Sequence, residues 1–385
     1  MERNIPIAQT LMFSKTFVSN ATRFYLPLFF VSMGLAGWQN GVLLSIASLC
    51  ALLFSFFSGY ISDTFSTKKA ISAGILLLFL FNIGMLFAQG FFTVLPLMLF
   101  AGFGSTLLLI CADAYILKIK TKKEGEKFGK SSFSNFMGSA TGLFVLGALL
   151  FFFNFHAIFA FNALVLCVVY LRSRSLDEIK VSEQHPHHYM RDFSNRPMLL
   201  ISIVLFLMAL HWGAEATSYA LFLKTNLGLD ALGSGLYMSI PIVILAFAAF
   251  LTGKQVDKPK FNVTHWLFLG MLLSGLFHIL MTVPILPFSF AMRIFHEIGD
   301  AIIDVIVYVG LSKVLPSKRL AGGFGLLISI MLFGEFAGTL IFGYLGGIYG
   351  YAFPLAASGA ITLLSLCIAY YYRHLIFKES AVAAT

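Results

Sequence analysis

Long apolar runs separated by short polar breaks set the rhythm of this chain. Runs such as ISAGILLLFLFNIGMLF reach the roughly 20 residues that a helix needs to cross a hydrocarbon core. Twelve spans are predicted: 10–33, 40–62, 69–88, 92–117, 128–150, 153–171, 198–223, 231–253, 264–284, 286–313, 320–343 and 347–372. The runs are continuous rather than alternating, so they predict helices and argue against a β-barrel. The expected class is an all-α integral membrane protein of twelve transmembrane helices in two pseudo-symmetric six-helix bundles. Residues 1–171 form the N-terminal bundle, 172–197 a polar cytoplasmic linker, 198–372 the C-terminal bundle and 373–385 a cytoplasmic tail.

Composition agrees with lipid as the solvent. Hydrophobic types make up 59% of the 385 residues and charged types 11%, against about 25% charged in soluble domains. The 43 phenylalanines would cover a soluble surface with sticky patches. The first span is too long for the apolar core of a cleavable signal peptide, and none is expected. Cys50, Cys111, Cys167 and Cys367 are widely spaced and suggest neither a disulfide framework nor a zinc site.

The net charge of +9 does not require nucleic acid, because the charge is sorted by side. With the N-terminus in the cytoplasm, only Lys224 among the 26 Lys and Arg lies in an outer loop, and only Lys15, Arg23 and Arg293 lie within spans. The others fall on the cytoplasmic side, as the positive-inside rule demands. Both termini are therefore expected in the cytoplasm, with a bacterial inner membrane as the fitting bilayer. The linker histidines His185, His187 and His188 read as solvated side chains.

The halves repeat one plan. GYISD, from Gly59 to Asp63, precedes Lys68 and Lys69, and GKQVD, ending in Asp257, precedes Lys258 and Lys260. Gly138, Gly142 and Gly147 in span 5 have the same spacing as Gly334, Gly338 and Gly343 in span 11. Small residues let helices approach closely, so these six are expected at helix-packing seams, with Glu335 among them. Duplicated halves of this kind place a solute site between them near the bilayer midplane.

The tenth span carries the candidate chemistry. FHEIGDAIIDVIVYVG holds His296, Glu297, Asp300 and Asp304, with Arg293 just before it. On a helix these five share an arc of about 100°. They extend over about 16 Å of axis. Charges facing lipid cost roughly 2.5 kcal/mol or more each, so the row must face protein or a watery cavity. Spacing predicts pairs Arg293–Glu297, His296–Asp300 and Asp300–Asp304. Two close carboxylates in a poorly hydrated site favour proton uptake, which nominates Asp300, Asp304 and Glu297 as proton-coupling groups. HWGAE puts His211 and Glu215 on one face of span 7 and adds Glu215 to that set. Arg23, Asn20, His211, Trp212, Tyr219, Arg293 and His296 are expected to line a substrate cavity. Asp113 reads as a gate or helix-end residue, and His278 as a packed histidine.

The loop GYISDTFSTKK resembles the cytoplasmic loop 2–3 signature of the major facilitator superfamily. Gly59, Asp63, Lys68 and Lys69 match that pattern, while Thr64, Ser66 and Thr67 replace its usual Arg, Gly and Arg. The resemblance implies a conformational latch at these residues, with Asp113 and Asp257 in corresponding roles. DAYILKIKTKKEGEKFG and the His211, Phe222–Leu223 and Gly228 pattern are similar to nucleoside- and sugar-symporter-like branches. Gly142–Leu143 stands where antiporters carry Gly-Pro, which disfavours a drug or metabolite antiporter.

The expected function is secondary active transport, proton-coupled, of a small polar organic solute by alternating access in a monomer. Export of amphipathic drugs or lipids is one alternative. Divalent-metal transport is another, since His211, Glu215, His296, Glu297, Asp300 and Asp304 are competent ligands. Enzyme chemistry is not expected: HEIGD ends in Asp300 where HExxH needs histidine, and no nucleotide loop or serine-nucleophile motif occurs. No cofactor, resident metal or nucleic-acid partner is expected.

Overall fold

The computed structural model describes residues 4–64, 66–119, 124–178, 196–256, 258, 261–314 and 320–376. Most of the linker, its three histidines, Asp257 and the end of the tail lie outside them. The described residues are helical throughout, with no strand. The first half of the chain contains α1 (Ile5–Ser32), α2 (Gly37–Thr64), α3 (Thr67–Met85), α4 (Phe91–Lys118), α5 (Glu124–Phe152) and α6 (Phe155–Ser173). In the second half, α7 (Arg196–Ala214) passes through a π-helical turn (Glu215–Tyr219) into the short α8 (Ala220–Thr225). Then come α9 (Ala231–Val256), α10 (Val263–Leu280), α11 (Leu286–Val314), α12 (Leu320–Tyr349), α13 (Ala352–Tyr371) and α14 (Arg373–Ile376).

Local chemistry explains where these helices start and stop. Ser66, Asn154 and Asn262 cap α3, α6 and α10 by accepting from the backbone N–H of Lys69, Ala157 and His265, each at 3.1 Å. Gly34 and Gly350 take φ of +78° and +81° in tight turns that side chains disfavour.

Among the described residues, ten helices are long and apolar enough to cross a membrane, so this is an all-α integral membrane fold. The apolar runs predicted twelve. The other two long helices are α1, with Lys15 and Arg23, and α11, with the ion row; their polar groups lower their hydropathy. Phe54, Phe57, Phe92, Leu164 and Phe247 are exposed, as side chains bathed in lipid would be.

Helix pairing follows one plan twice. In the first half α1 packs on α5 and α6, α3 on α4 and α6, and α2 on α4. The second half shows α7 on α12 and α13, α10 on α11 and α13, and α9 on α11. Between halves, α2 lies along α12 and α5 along α9.

The glycine seams follow the same symmetry. Gly138 and Gly142 lie against the backbone of Phe13 and Phe17 on α1, and Gly334 and Gly338 against that of Phe206 and Leu210 on α7. Gly147 meets Ala231 and Gly235 of α9, while Gly343 meets Gly41 of α2. Each triplet thus spends two glycines within its half and one across it. At the α7–α12 crossing a methyl group on Gly213 would sit 2.4 Å from the backbone of Gly338 and Thr339. Backbone cannot step aside, so Gly213→Ala should cost about 1–3 kcal/mol. Thermal unfolding in detergent reads this, with Gly347→Ala as control, because a methyl there meets nothing within 4 Å.

Candidate functional site

The ion row of α11 meets partners from both halves of the chain. Arg293, 3% exposed, forms ion pairs with Glu297 one turn along and with Glu215 of the π turn. Its guanidinium lies 4.7 Å from the centre of the Tyr219 ring. The π turn carries both Glu215 and Tyr219; its extra residue re-aims side chains that a regular helix would rotate away, a common use of such turns.

Three histidines gather beside this pair. His296 donates through Nδ1 to the Ser274 carbonyl of α10 at 2.8 Å. Its Nε2 lies 3.6 Å from Glu215 and 3.5 Å from Asp300. His211 donates through Nδ1 to the Met208 carbonyl, and its Nε2 lies 3.5 Å from the same Asp300 oxygen. His278 lies 3.7 Å from Glu215 through Nδ1 and 3.2 Å from the Ser358 hydroxyl of α13 through Nε2. All three rings are buried.

Lower on α11 the row changes partners. Asp304 faces Ser132 of α5, in the other half of the chain, at 3.5 Å. It lines a cavity of about 30 Å³ with Asp113, Ser131, Ser132, Asn135, Met12, Ile116 and Phe128, room for a water or two. Buried Lys15 of α1 interacts electrostatically with both Asp113 and Asp304.

A third group links the halves at α1, α2 and α12. Arg23 pairs with Glu335, and Ser48 joins them, accepting from Arg23 at 3.2 Å and donating to Glu335 at 3.0 Å. Arg23 is 35% exposed, so screening limits the pair to about 1 kcal/mol. Glu335→Gln should lower the unfolding midpoint slightly, and the swap Arg23→Glu with Glu335→Arg should restore it. A swap no better than the single variant would mean that charge pairing is unimportant there.

The structure brings Arg293, His296, Glu297, Asp300, His211, Glu215 and Tyr219 into one cluster, with Trp212 beside His211 at a ring separation of 5.8 Å. The pairs Arg293–Glu297 and His296–Asp300 form along the helix. Asp300 also turns to His211 and His296 and Asp304 to Ser132, while the two carboxylates still interact electrostatically along the helix. Asn20 is exposed and joins none of these three groups. Glu335 pairs across the halves rather than only packing beside glycine. His278 is drawn into the cluster by α10, a place its isolated position in the sequence did not signal. Ser48 and Ser132 carry no sequence signal for the same reason, and Lys15 stands out as a charge within a span but without an indication of its partners.

At the expected latch, Gly59 is buried in α2 near Asp63, whose side chain lies outside the described set. Lys68 and Lys69 open α3, with Lys69 exposed. Lys118 donates to the Ser62 hydroxyl at 3.1 Å, tying α4 to this corner. Asp113 lies higher, at the buried cavity with Asp304.

This architecture has clear relatives. A nucleoside transporter, NupG, superposes with a TM-score of 0.77 at 14% identity, over 94% of this chain and 98% of that one. A bacterial homolog of the human lysosomal transporter Spinster, in an inward-facing state, gives 0.77 at 15% identity over 98% of both chains. The human organic anion transporter MFSD10 gives 0.72 at 14% identity, over 95% and 99%. At these identities the likeness establishes the fold. In sequence, Multidrug resistance protein 2 of Bacillus subtilis (strain 168) is 27% identical over 250 residues, 60% of this chain and 62% of that protein, so the match spans less than two thirds of its length. The model of the Major Facilitator Superfamily matches residues 10–264 and 201–382, and the chain belongs to that superfamily of membrane transporters.

Proposed function

We propose that this protein is a proton-coupled secondary transporter that moves a small polar organic solute by alternating access, with Asp304 as the proton-carrying carboxylate. In this reading α1 and α11 also cross the membrane, giving twelve spans in two bundles, 1–171 and 198–372, joined by the cytoplasmic linker. It works as a monomer in a bacterial inner membrane with both termini in the cytoplasm.

The observation that carries the reading is the position of Asp304. It sits on α11 of one half and faces Ser132 and the Asp113 cavity of the other. The groups around it are Lys15 from α1, Asp113 from α4, Ser132 from α5 and Asp300 on its own helix. Lys15 interacts with both Asp113 and Asp304, so two carboxylates share this cation at a buried interface. Protonation of Asp304 removes one charge from this buried interface, and the loss of charge changes the energy of closing the halves. Glu215 and Glu297 are engaged by Arg293, which makes them structural counter-charges here rather than carriers. Arg23 and Glu335 act as a cross-half contact that opens and closes.

The test is uptake into proteoliposomes under an imposed acid-outside gradient, screening nucleosides, sugars and peptides. Solute-dependent proton entry supports the reading; its absence for every polar solute, with active protein, overturns it. The resemblance to Multidrug resistance protein 2 favours a second reading, export of amphipathic compounds. Proton release driven only by amphipaths in the same vesicles would select that reading.

A further inference from the structure

We propose that His211, His296 and Asp300 form a binding site for a divalent first-row transition metal ion, of the zinc or cobalt(II) type, flanked by His278 and Glu215. This goes beyond proton-linked transport and does not depend on it.

Donor geometry is the first argument. The Nε2 atoms of His211 and His296 each lie 3.5 Å from the same Asp300 oxygen, and the three donor atoms fall within 4.8 Å of one another. Metal–nitrogen and metal–oxygen bonds of about 2.0–2.2 Å in tetrahedral geometry put ligand atoms roughly 3.4 Å apart. The same spacing is too long for a good hydrogen bond. Glu215, His278 and His296 form a second trio of this kind, so His296 is common to both.

Ring orientation is the second. The outer Nδ1 atoms of His211 and His296 face backbone carbonyls, which only accept, so those nitrogens carry the protons. Each neutral ring then aims a bare Nε2 lone pair inward. Such carbonyl anchoring is how metal-bound histidines are commonly held.

Satisfaction and charge complete the case. The inward Nε2 atoms of His211 and His296, Nδ1 of His278 and Oδ1 of Asp300 are buried without a hydrogen-bond partner. Orphaned buried acceptors are costly, and a metal ion would take up several of their lone pairs at once. The cluster holds three carboxylates, Glu215, Glu297 and Asp300, and one guanidinium, Arg293, which pairs with the first two. With neutral histidines that leaves two negative charges, which a divalent cation cancels. Imidazole beside carboxylate suits zinc, cobalt, nickel or iron and disfavours magnesium and calcium. Three protein ligands also leave a coordination position open for exchange.

The test uses full-length protein in detergent, carrying a tag without histidine, in a background with His185, His187 and His188 replaced by alanine. Cobalt(II) is followed by its visible absorption and zinc by calorimetry. One ion per chain is expected, with no response to magnesium. Asp300→Asn, which keeps the side chain's size, and His296→Ala should each weaken binding about tenfold or more. Asp304→Asn should retain full stoichiometry while losing gradient-driven transport, which separates this proposal from the transport reading. Absence of stoichiometric binding by the folded protein overturns the site, as does undiminished binding in both ligand variants. If His296→Ala fails to fold, the wild-type titration and Asp300→Asn still decide.

Discussion

Arg293→Met should be the most destabilising single substitution in the ion cluster, by about 3–5 kcal/mol, because it strands the buried carboxylate of Glu297 and the partly buried one of Glu215. Glu215 and Glu297 both pair with this one guanidinium, and Glu297 is only 3% exposed. Methionine keeps the length and apolar character of the side chain and removes only the charge and its hydrogen bonds. The loss is therefore electrostatic, and it should be recoverable. Adding Glu215→Gln and Glu297→Gln to Arg293→Met removes the stranded charges and should return more than half of the stability. Thermal and denaturant unfolding in detergent measure both variants. If the triple variant is as unstable as the single one, Arg293 serves chiefly by packing over Tyr219.

Asp304→Asn should abolish gradient-driven accumulation while leaving the protein folded. Each pH unit carries about 1.4 kcal/mol per proton, enough for roughly tenfold accumulation of a neutral solute at one proton per molecule. Asparagine matches aspartate in size and can keep the Ser132 contact, but it cannot exchange a proton. The accumulation ratio should fall from about ten per pH unit to about one. Lys15 and Asp113 stay in place in this variant, so the interface resembles that of the protonated wild type. Unfolding midpoints should accordingly stay close to wild type.

Much of this site is legible along the chain, and the rest is hidden for identifiable reasons. Arg293, Glu297 and Asp300 stand out because charges at helical spacing interrupt an apolar run, and their local pairs depend only on that spacing. The glycine triplets are legible because the same spacing occurs twice. Asp304 shows how far such reasoning extends: its membership of the row is plain, but its partners Ser132 and Lys15 lie on α5 and α1. Nothing near residue 304 encodes that choice. Arg23 and Glu335 likewise carry no sequence signal for one another, since their pairing is made by the contact of α1 and α2 with α12. His278 is a lone histidine in an apolar helix, and only the assembly of α7, α10, α11 and α13 turns it toward Glu215. The π turn at Glu215–Tyr219 is equally silent, because one extra residue in a turn alters no hydrophobic period long enough to detect.

The same assembly separates two kinds of chemistry on one helix. Toward the start of α11, histidines and paired carboxylates form a closed polar nest; further along, Asp304 faces the opposite half through a small cavity. We propose proton coupling at the second of these two places because a change of charge on Asp304 acts directly between the halves.

The most direct measurement compares two modes of transport in the same proteoliposomes containing Asp304→Asn: solute exchange without a gradient, and accumulation under an acid-outside gradient. Exchange needs the halves to rock but no net proton movement, whereas accumulation needs the proton. Near-normal exchange with lost accumulation is expected. Accumulation equal to wild type would contradict the assignment of the proton to Asp304.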